Sequence, residues 1–324
     1  MYYNRFAPGL DTIDMAATDE FASLLEGARI VGTPPHPNVR YVSRNVVANG
    51  LRFHLLEWGD PDAPTVLLVH GGNHTAHTWD LVSMALADRF HVIAIDQRGH
   101  GDSEWPRDGD MTVTAMSTDI EALWDVLGFD QIRVVAHSRG GRACMPLLSR
   151  RDVAEKVVFV DVAPSLARPT PGERTARAAG AQANFTAIRE YPSVDAYVEA
   201  VQKLDPARTR EAVLRTMRYN MLQRVDGTLI AKTAPMNVGS TERIADPMSE
   251  ATVDDLKTIN CPVLLLRGAD SPNLAQETAE AYVAALPDAR LIVVPKCGHN
   301  VHTQNTPGFL SFAMPFLEGA PVPV

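Results

Sequence analysis

The feature that most constrains the fold of this chain is residues 131–144, where an apolar run ends abruptly in a polar turn. Residues 132–136 predict a buried parallel strand, and a helical pattern of small residues begins directly after the turn. Ala136 and Gly140 lie two positions on either side of Ser138, as a sharp strand-to-helix turn requires, because larger side chains would clash there. The sequence therefore predicts that Ser138 is held at the carboxyl edge of a sheet, next to a helix N-terminus.

Alternating strand and helix patterns surround this turn along most of the chain. Short, mostly apolar runs recur between helical segments, at 66–69, 91–95, 156–160, 263–266 and 291–294. Such strands, separated by helices, predict a mostly parallel α/β sheet with helices on both faces. Ahead of them, an Asn49-Gly50 pair between two alternating segments predicts a β-hairpin.

Changes in this pattern divide the chain into three parts. Residues 1–40 are an N-terminal extension, and residues 41–164 and 248–324 form the predicted core. Residues 165–247 carry amphipathic patterns between two strands, which predict helices at about 171–190, 193–203 and 206–222. We therefore expect an inserted helical cap at the carboxyl edge of the sheet. The extension is expected either to cover an edge of the core or to mediate self-association, so a homo-oligomer stays an open alternative.

The composition argues against several classes of partner. A formal net charge of −9 argues against general affinity for nucleic acid or acidic membranes, which leaves a small molecule as the expected partner. Cys144, Cys261 and Cys297 are widely spaced and odd in number, which favours a reducing cytoplasm over a disulfide scaffold. Neither a secretory signal nor a run of about 20 apolar residues is visible, so a cytoplasmic protein is expected.

Ser138 needs a base to take its proton, and that base needs a third group to orient it. His299 is the leading base, because it follows a predicted strand and Gly298 near the C-terminus, where the last loop of such a sheet returns to the turn. His137 adjoins Ser138 in sequence, but neighbouring side chains diverge at so sharp a turn. We therefore expect His137 to pack or to form a hydrogen bond.

The oxyanion of an acyl-transfer reaction needs two convergent N–H donors. The Arg139 N–H comes with the turn itself, and the Gly72 N–H lies just beyond the strand that ends at His70. Both are main-chain roles, so the side chain of Arg139 is left for another use.

Two groups of histidines are candidate metal ligands: His70, His74 and His77, and the pair His299 and His302. Neither group has a carboxylate or helical i,i+4 spacing to support it. No metal and no other cofactor is therefore expected.

Four motifs now stand in order along the chain: the His70-Gly71-Gly72 loop, residues 96–103, residues 136–140 and the late Gly298-His299. Together they resemble the α/β-hydrolase superfamily, and the resemblance covers about residues 41–317. It implies an α/β-hydrolase fold with Ser138 as nucleophile. Because the residue at this turn is serine and not aspartate, the resemblance argues against epoxide hydrolase and haloalkane dehalogenase chemistry.

Two aspartates compete as the acid that orients His299. In much of the superfamily the acid lies three residues after the glycine that ends the strand before the last helix, and here that position is Ser271. Asp270 lies one residue too early, whereas Asp161 ends the strand that follows the nucleophile helix. An acid at the end of the strand that follows the nucleophile helix resembles the arrangement in a subgroup of esterases and amidohydrolases. Asp161 is therefore favoured, and Asp270 is the alternative.

The substrate-binding candidates are less constrained. The guanidinium groups of Arg139 and Arg142 could clamp a substrate carboxylate, or pair with an acidic residue of the cap, and the pairing is slightly favoured. Asn73 and His74 are further candidates for lining the pocket, as are Met221, Met236 and Asn237.

The leading functional hypothesis is a cofactor-free serine hydrolase that cleaves a small or medium carboxylic ester through an acyl-enzyme. An amide, a lactone or a monoester with a second acid group is a related substrate. Two alternatives remain open: a C–C bond hydrolase acting on a diketone, and a non-catalytic ligand-binding protein that has kept this pocket.

Overall fold

The computed structural model describes residues 13–14, 19–33, 39, 41–166, 170, 189–204, 208–235, 252–254 and 258–323. Strands within these residues are β1 (Ile13–Asp14), β2 (Tyr41–Ala48), β3 (Leu51–Trp58), β4 (Thr65–Val69), β5 (His91–Ile95), β6 (Ile132–His137), β7 (Ala154–Val160), β8 (Glu190–Tyr191), β9 (Met221–Gln223), β10 (Leu229–Ala231), β11 (Val263–Gly268) and β12 (Ala289–Val294). Helices are α1 (Asp19–Val31), α2 (Asp80–Leu86), α3 (Val113–Val126), α4 (Ser138–Arg150), α5 (Val194–Leu204), α6 (Arg210–Asn220), α7 (Gln276–Ala285), α8 (Val301–Gln304) and α9 (Thr306–Glu318).

Nine of the strands form one sheet, in the order β1-β2-β3-β5-β4-β6-β7-β11-β12. Neighbours from β5 to β12 run parallel, whereas β1, β2 and β3 pair antiparallel. The register aligns Val69 with Ala136, Ala136 with Phe159, and Val160 with Leu266. The carboxyl ends of β4, β6, β7 and β11 therefore meet at one edge, and the loops that follow them lie side by side.

Both faces of this sheet are buried, because side chains alternate between two hydrophobic clusters along each strand. Along β4, Leu67 and Val69 pack in a cluster with side chains of α3, α4 and α7. Val66 and Leu68 pack in a second cluster with side chains of α1, α2 and α9. Helices cover both faces of a mostly parallel sheet, which confirms the predicted fold class.

The predicted hairpin is formed by β2 and β3, which pair from Tyr41–Trp58 to Ala48–Leu51. Its turn residues Asn49 and Gly50 have φ values of 47° and 73°, and this left-handed pair is why an Asn-Gly turn is used.

Helix α1, from the N-terminal extension, packs on the sheet. Its Phe21 lies against Tyr41, which stacks on Trp58 with ring centroids 4.2 Å apart. The other buried side chains of the helix, Leu24 and Ala28, join the same hydrophobic cluster. Within the described residues, no helix combines the length and apolar character needed to cross a membrane.

The inserted segment carries its own small sheet, in the order β8-β10-β9. With α5 and α6 it encloses a separate hydrophobic cluster that includes Met221. The helices predicted at 193–203 and 206–222 correspond to α5 and α6, although β9 already begins at Met221. The helix predicted at 171–190 falls largely outside the described residues, and its last predicted position, Glu190, lies in β8.

The polar contacts that attach this segment to the core include three between side chains of the described residues. Thr75 Oγ1 donates to Asn220 Oδ1 at 2.9 Å, and Arg215 forms a 2.9 Å ion pair with Asp80. The third contact joins the Lys232 ammonium to the Asp102 carboxylate at 2.7 Å. The first of them involves the loop after β4, so the inserted segment lies near the edge where the polar loops meet.

Candidate active site

The turn between β6 and α4 places Ser138 in a left-handed conformation, with φ of 50°. A Cβ on Gly140 would lie 2.3 Å from the main-chain oxygen of His70, and one on Gly141 would lie 2.5 Å from Val162 Cγ1. Ala136 is fully buried. The absence of larger side chains is therefore what allows the chain to turn here, as the sequence predicts.

Ser138, His299 and Asp161 form one chain of hydrogen bonds. Ser138 Oγ lies 2.9 Å from His299 Nε2, and His299 Nδ1 lies 2.7 Å from Asp161 Oδ2. Because a carboxylate only accepts, the proton of the neutral imidazole is on Nδ1, which leaves the Nε2 lone pair facing the Ser138 hydroxyl. This is the geometry of a nucleophile, its base and the group that orients the base.

The Asp161 carboxylate is saturated with hydrogen bonds. Its Oδ1 accepts from the Gly268 N–H at 3.0 Å, and its Oδ2 accepts from the Ser271 hydroxyl at 2.5 Å as well as from His299. The side chain of Asp161 is completely buried, and its φ is 50°. Three donors hold the carboxylate in one orientation inside the protein, so the imidazole that it faces is held as well.

The alternative acid, Asp270, lies in the neighbouring loop, after β11. It is exposed, and its backbone N–H donates to the Cys297 carbonyl at 3.0 Å. Ser271, at the position that usually supplies the acid, instead donates its hydroxyl to Asp161. No local pattern predicts that contact, because it depends on the pairing of β7 with β11.

The two predicted oxyanion donors lie beside the turn. Arg139 is the second residue of α4, where a helix N–H has no acceptor within its own helix. The Gly72 loop packs against it, since a Cβ built on Gly72 would lie 3.6 Å from Arg139 Cδ. Gly71 is closer still: a Cβ there would lie 3.2 Å from Ser138 Cβ and 2.5 Å from His137 Nδ1. This close approach gives Gly71 a place in the site, whereas in the sequence it is named only as part of a motif.

The predicted substrate-binding residues surround the same turn. Arg139 Nη2 donates to the Met111 carbonyl, and Arg142 Nη2 donates to the Ala163 carbonyl at 3.3 Å. These are contacts with main-chain oxygens, so the pairing with an acidic cap residue stays a prediction. Asn73 has a left-handed φ of 61°, and its N–H donates to His100 Nε2 at 3.3 Å.

Of the remaining candidates, Met221 is buried in the inserted segment's own cluster and so packs there. Met236 and Asn237 fall outside the described residues.

Histidines crowd this edge of the sheet more than their spacing in the sequence suggests. The ring of His137 stacks on that of His74 with centroids 5.6 Å apart, and lies 4.7 Å from His299 and 4.8 Å from His302. Its Nε2 donates to the His299 carbonyl at 3.0 Å, in line with the expectation that His137 forms a hydrogen bond. Burial lowers the pKa of His137 and of His302 well below the ordinary value, and neighbouring histidines add to this.

The loop beneath the site is braced by Asp96. Its carboxylate accepts from the Ala76 N–H at 2.6 Å and pairs with His54 Nδ1 at 2.8 Å, while Ser103 Oγ donates to its carbonyl at 2.6 Å. Burial acts to raise the pKa of Asp96, but the His54 contact and the nearby His70 outweigh it and lower that pKa. The loop after β5 is thus fixed under the loop that carries Gly71.

A serine at a strained strand-to-helix turn, joined through an imidazole to a buried carboxylate, defines the class of α/β-hydrolases on this fold. Residues 66–310 match the model of the Alpha/beta hydrolase family. The chain belongs to this family, and it is a hydrolase.

Several relatives are similar over most of their length. Esterase Rv0045c of Mycobacterium tuberculosis is 30% identical over 294 residues, which are 90% of this chain and 93% of that protein. The 2-(acetamidomethylene)succinate hydrolase of Mesorhizobium japonicum is 28% identical over 264 residues, 81% of this chain and 90% of that protein.

Solved structures show the same fold. The crystal structure of esterase Rv0045c has a TM-score of 0.68 at 25% identity and covers 91% of this chain and 96% of that one. A refined structure of the same esterase, described together with its inhibition by transition metals, has a TM-score of 0.70 at 24% identity. It covers 94% of this chain and 100% of that one.

Proposed function

We propose that this chain is a cofactor-free serine hydrolase that cleaves a small or medium carboxylic ester through an acyl-enzyme. The observation that carries the proposal is the continuous chain of hydrogen bonds from Ser138 through His299 to Asp161. The similarity to an esterase over nine-tenths of the chain supports an ester as the substrate.

The first half of the reaction forms the acyl-enzyme. His299 Nε2 takes the Ser138 proton as Oγ attacks the carbonyl carbon of the ester, and the buried Asp161 carboxylate stabilises the imidazolium. The N–H groups of Gly72 and Arg139 donate to the oxyanion. The imidazolium then gives its proton to the alkoxide as the C–O bond breaks, and the alcohol leaves.

The second half releases the acid. His299 takes a proton from water, whose oxygen attacks the acyl carbon bound to Ser138. Collapse of this second tetrahedral intermediate returns the proton to Ser138 Oγ and frees the carboxylic acid. No group beyond the three residues and water is needed to balance the protons.

Substrates with a second acid group are the most specific class that the chain's own residues suggest. Arg139 and Arg142 follow Ser138 by one and four residues, so both guanidinium groups stem from the first two turns of α4. One similar protein is a hydrolase of 2-(acetamidomethylene)succinate, a dicarboxylate by name. We propose that these arginines exchange a main-chain carbonyl for the substrate carboxylate, and that the inserted segment closes the pocket as a cap.

A fluorophosphonate probe read by intact mass tests the nucleophile. One adduct on the wild-type protein, absent in Ser138→Ala, is the expected result. Retention of the adduct in Ser138→Ala would overturn the assignment, whereas no labelling of the folded wild type would favour the ligand-binding alternative.

A substrate panel tests the reaction class. p-Nitrophenyl esters of graded chain length are compared with monoesters of dicarboxylic acids and with a vinylogous diketone. Turnover of the diketone without turnover of any ester would favour the C–C hydrolase alternative. A preference for the dicarboxylate monoesters that is lost in Arg142→Gln would support the acid-group proposal, and equal rates on neutral and acidic esters would contradict it.

We place the protein in a reducing cytoplasm, on the state of its cysteines. Cys144, Cys261 and Cys297 are all free and buried. Burial raises the pKa of Cys144 to about 12 and those of the other two to about 11, so none is activated as a thiolate.

A further inference from the structure

Three imidazoles outside the Ser138–His299–Asp161 chain converge from separate parts of the fold. His74 comes from the loop after β4, His137 is the last residue of β6, and His302 lies in α8. One ring nitrogen of each lies within 4.8 Å of those of the other two. His137 and His302 are each only 1% exposed. This cluster is neither of the two groups that proximity in the sequence suggested.

One nitrogen of each of these three rings has no hydrogen-bond partner among the described residues. The Nδ1 atoms of His74, His137 and His302 are all buried without a hydrogen bond. The opposite nitrogen of His137 donates to the His299 carbonyl at 3.0 Å. Because a carbonyl only accepts, Nε2 carries the proton, and the lone pair of His137 is on Nδ1.

His302 is held in a similar way, with its Nε2 3.2 Å from the Thr78 hydroxyl. A carbonyl or hydroxyl on the far nitrogen is the usual support of a metal-binding imidazole, since it fixes both the tautomer and the ring orientation. Buried polar atoms that lack partners call for a ligand, and lone pairs from three imidazoles suit a borderline-soft divalent cation.

We propose that His74, His137 and His302 bind a divalent transition-metal ion such as Zn²⁺, and that the bound ion inhibits hydrolysis. The inhibition rests on the proposed function, whereas the binding does not. In a tetrahedral zinc site with bonds of about 2.0–2.1 Å, neighbouring nitrogens lie roughly 3.3 Å apart, so small ring shifts close the cluster around the ion. A fourth position is left for water.

The affinity is expected to be that of an inhibitor rather than of a permanent cofactor. His74 and His302 both feel the positive charge of Arg208, and the three neutral ligands bring no carboxylate to offset it. The ion is therefore expected to exchange with solution and to be removed by a chelator.

Inhibition follows from the position of His299. The His137 ring lies 4.7 Å from the His299 ring and also holds the His299 carbonyl. Closing the cluster around an ion moves the His137 ring, and with it the His299 backbone, so His299 Nε2 is displaced from its 2.9 Å contact with Ser138 Oγ. We expect zinc to lower kcat at least tenfold with little change in KM.

Calorimetric titration of the full chain with Zn²⁺ tests binding without using activity. One site is expected in the wild type and also in Ser138→Ala, which removes the nucleophile but not the ligands. His302→Gln is expected to weaken the site at least tenfold. The matched control is His77→Gln, because His77 is also buried and lies three residues from His74 but outside the cluster.

Two outcomes would overturn the binding site: no Zn²⁺ binding by the folded wild type at submillimolar concentration, or equal binding by His302→Gln. Should His302→Gln not fold, anomalous diffraction from zinc-soaked wild-type crystals decides. A peak among the three imidazoles supports the site, and a peak only elsewhere overturns it.

Initial rates with and without Zn²⁺, followed by addition of EDTA, test the inhibition. Each variant is compared with its own metal-free rate. Reversible inhibition that His302→Gln relieves supports the proposal, whereas binding at the cluster without any loss of rate overturns its inhibitory part. If no ester is hydrolysed at all, the proposed function fails while the calorimetric result still stands.

Discussion

Replacing Asp161 by asparagine tests which carboxylate orients His299. The amide keeps the shape of the side chain but has one acceptor oxygen, whereas Asp161 now accepts from Gly268, Ser271 and His299. The Gly268 N–H cannot turn away, so the amide oxygen is expected to stay with it. The NH₂ group then faces His299 Nδ1 and donates to it.

That donation reverses the tautomer of His299. With the proton moved to Nε2, the ring has no lone pair for the Ser138 hydroxyl, which lies 2.9 Å away. Loss of this orientation in a serine–histidine–aspartate site costs about 10⁴-fold in kcat, equivalent to about 5 kcal/mol of transition-state stabilisation. We expect a loss of about 10³- to 10⁴-fold in Asp161→Asn.

The assay is the steady-state rate on a p-nitrophenyl ester, with thermal denaturation as a check that each variant folds. Asp270→Asn is the matched control, because Asp270 is exposed in the neighbouring loop, and it is expected to stay within about twofold of the wild type. A folded Asp161→Asn with near wild-type kcat, or a larger loss in Asp270→Asn, would refute the assignment.

Three further predictions concern the support of the site. Ser271→Ala removes the 2.5 Å hydrogen bond to Asp161 and should lower kcat about tenfold, or about 1.4 kcal/mol; an unchanged pH–rate profile and kcat would contradict this. Gly140→Ala puts a Cβ 2.3 Å from a main-chain oxygen. It should lower the free energy of unfolding, measured in urea, by about 3 kcal/mol or more. The control is Gly128→Asn, which should be nearly neutral because Gly128 faces open space and has a φ of 66° that asparagine tolerates.

The third concerns pH and the buried histidines. Burial lowers the pKa of His74 to about 3, and the pKa values of His137 and His302 also fall. In the unfolded chain these histidines have the ordinary pKa of about 6.5. Below that pH, the unfolded chain therefore binds more protons than the folded protein does. The free energy of unfolding should therefore decrease as the pH falls from about 6.5 towards 3, by up to about 1.4 kcal/mol per pH unit for each such histidine. His302→Gln should make that dependence shallower in urea titrations at several pH values, and a steeper dependence would contradict the account.

Much of the fold could be predicted because its signals are local. The Asn49-Gly50 turn, the apolar runs that became β4 to β7, and the small residues around Ser138 each act within a few positions along the chain. The ends of helices were predicted less accurately where a strand follows directly. The helix predicted at 206–222 ends at Asn220, because Met221 pairs as a strand with Ala231.

The site depended on contacts between distant residues. Ser271 was visible at the usual position of the acid, but its hydrogen bond to Asp161 spans 110 residues. The histidine cluster likewise joins the loop after β4, the end of β6 and helix α8, and the spacing of His70, His74 and His77 pointed to another group. Gly71 stood in a glycine-rich loop, but its close approach to His137 depends on the neighbouring strands β4 and β6.

The sequence by itself determined where the chain turns and what it carries there, because steric exclusion around Ser138 acts between neighbouring residues. Only the tertiary structure decided which carboxylate lies within 2.7 Å of His299 and which imidazoles have ring nitrogens within 4.8 Å of one another. The physical reason is that whether two groups form a hydrogen bond, or whether several groups bind one ion, depends on differences in distance of a few tenths of an ångström. Strand order and register set those distances, and no one-dimensional pattern contains them.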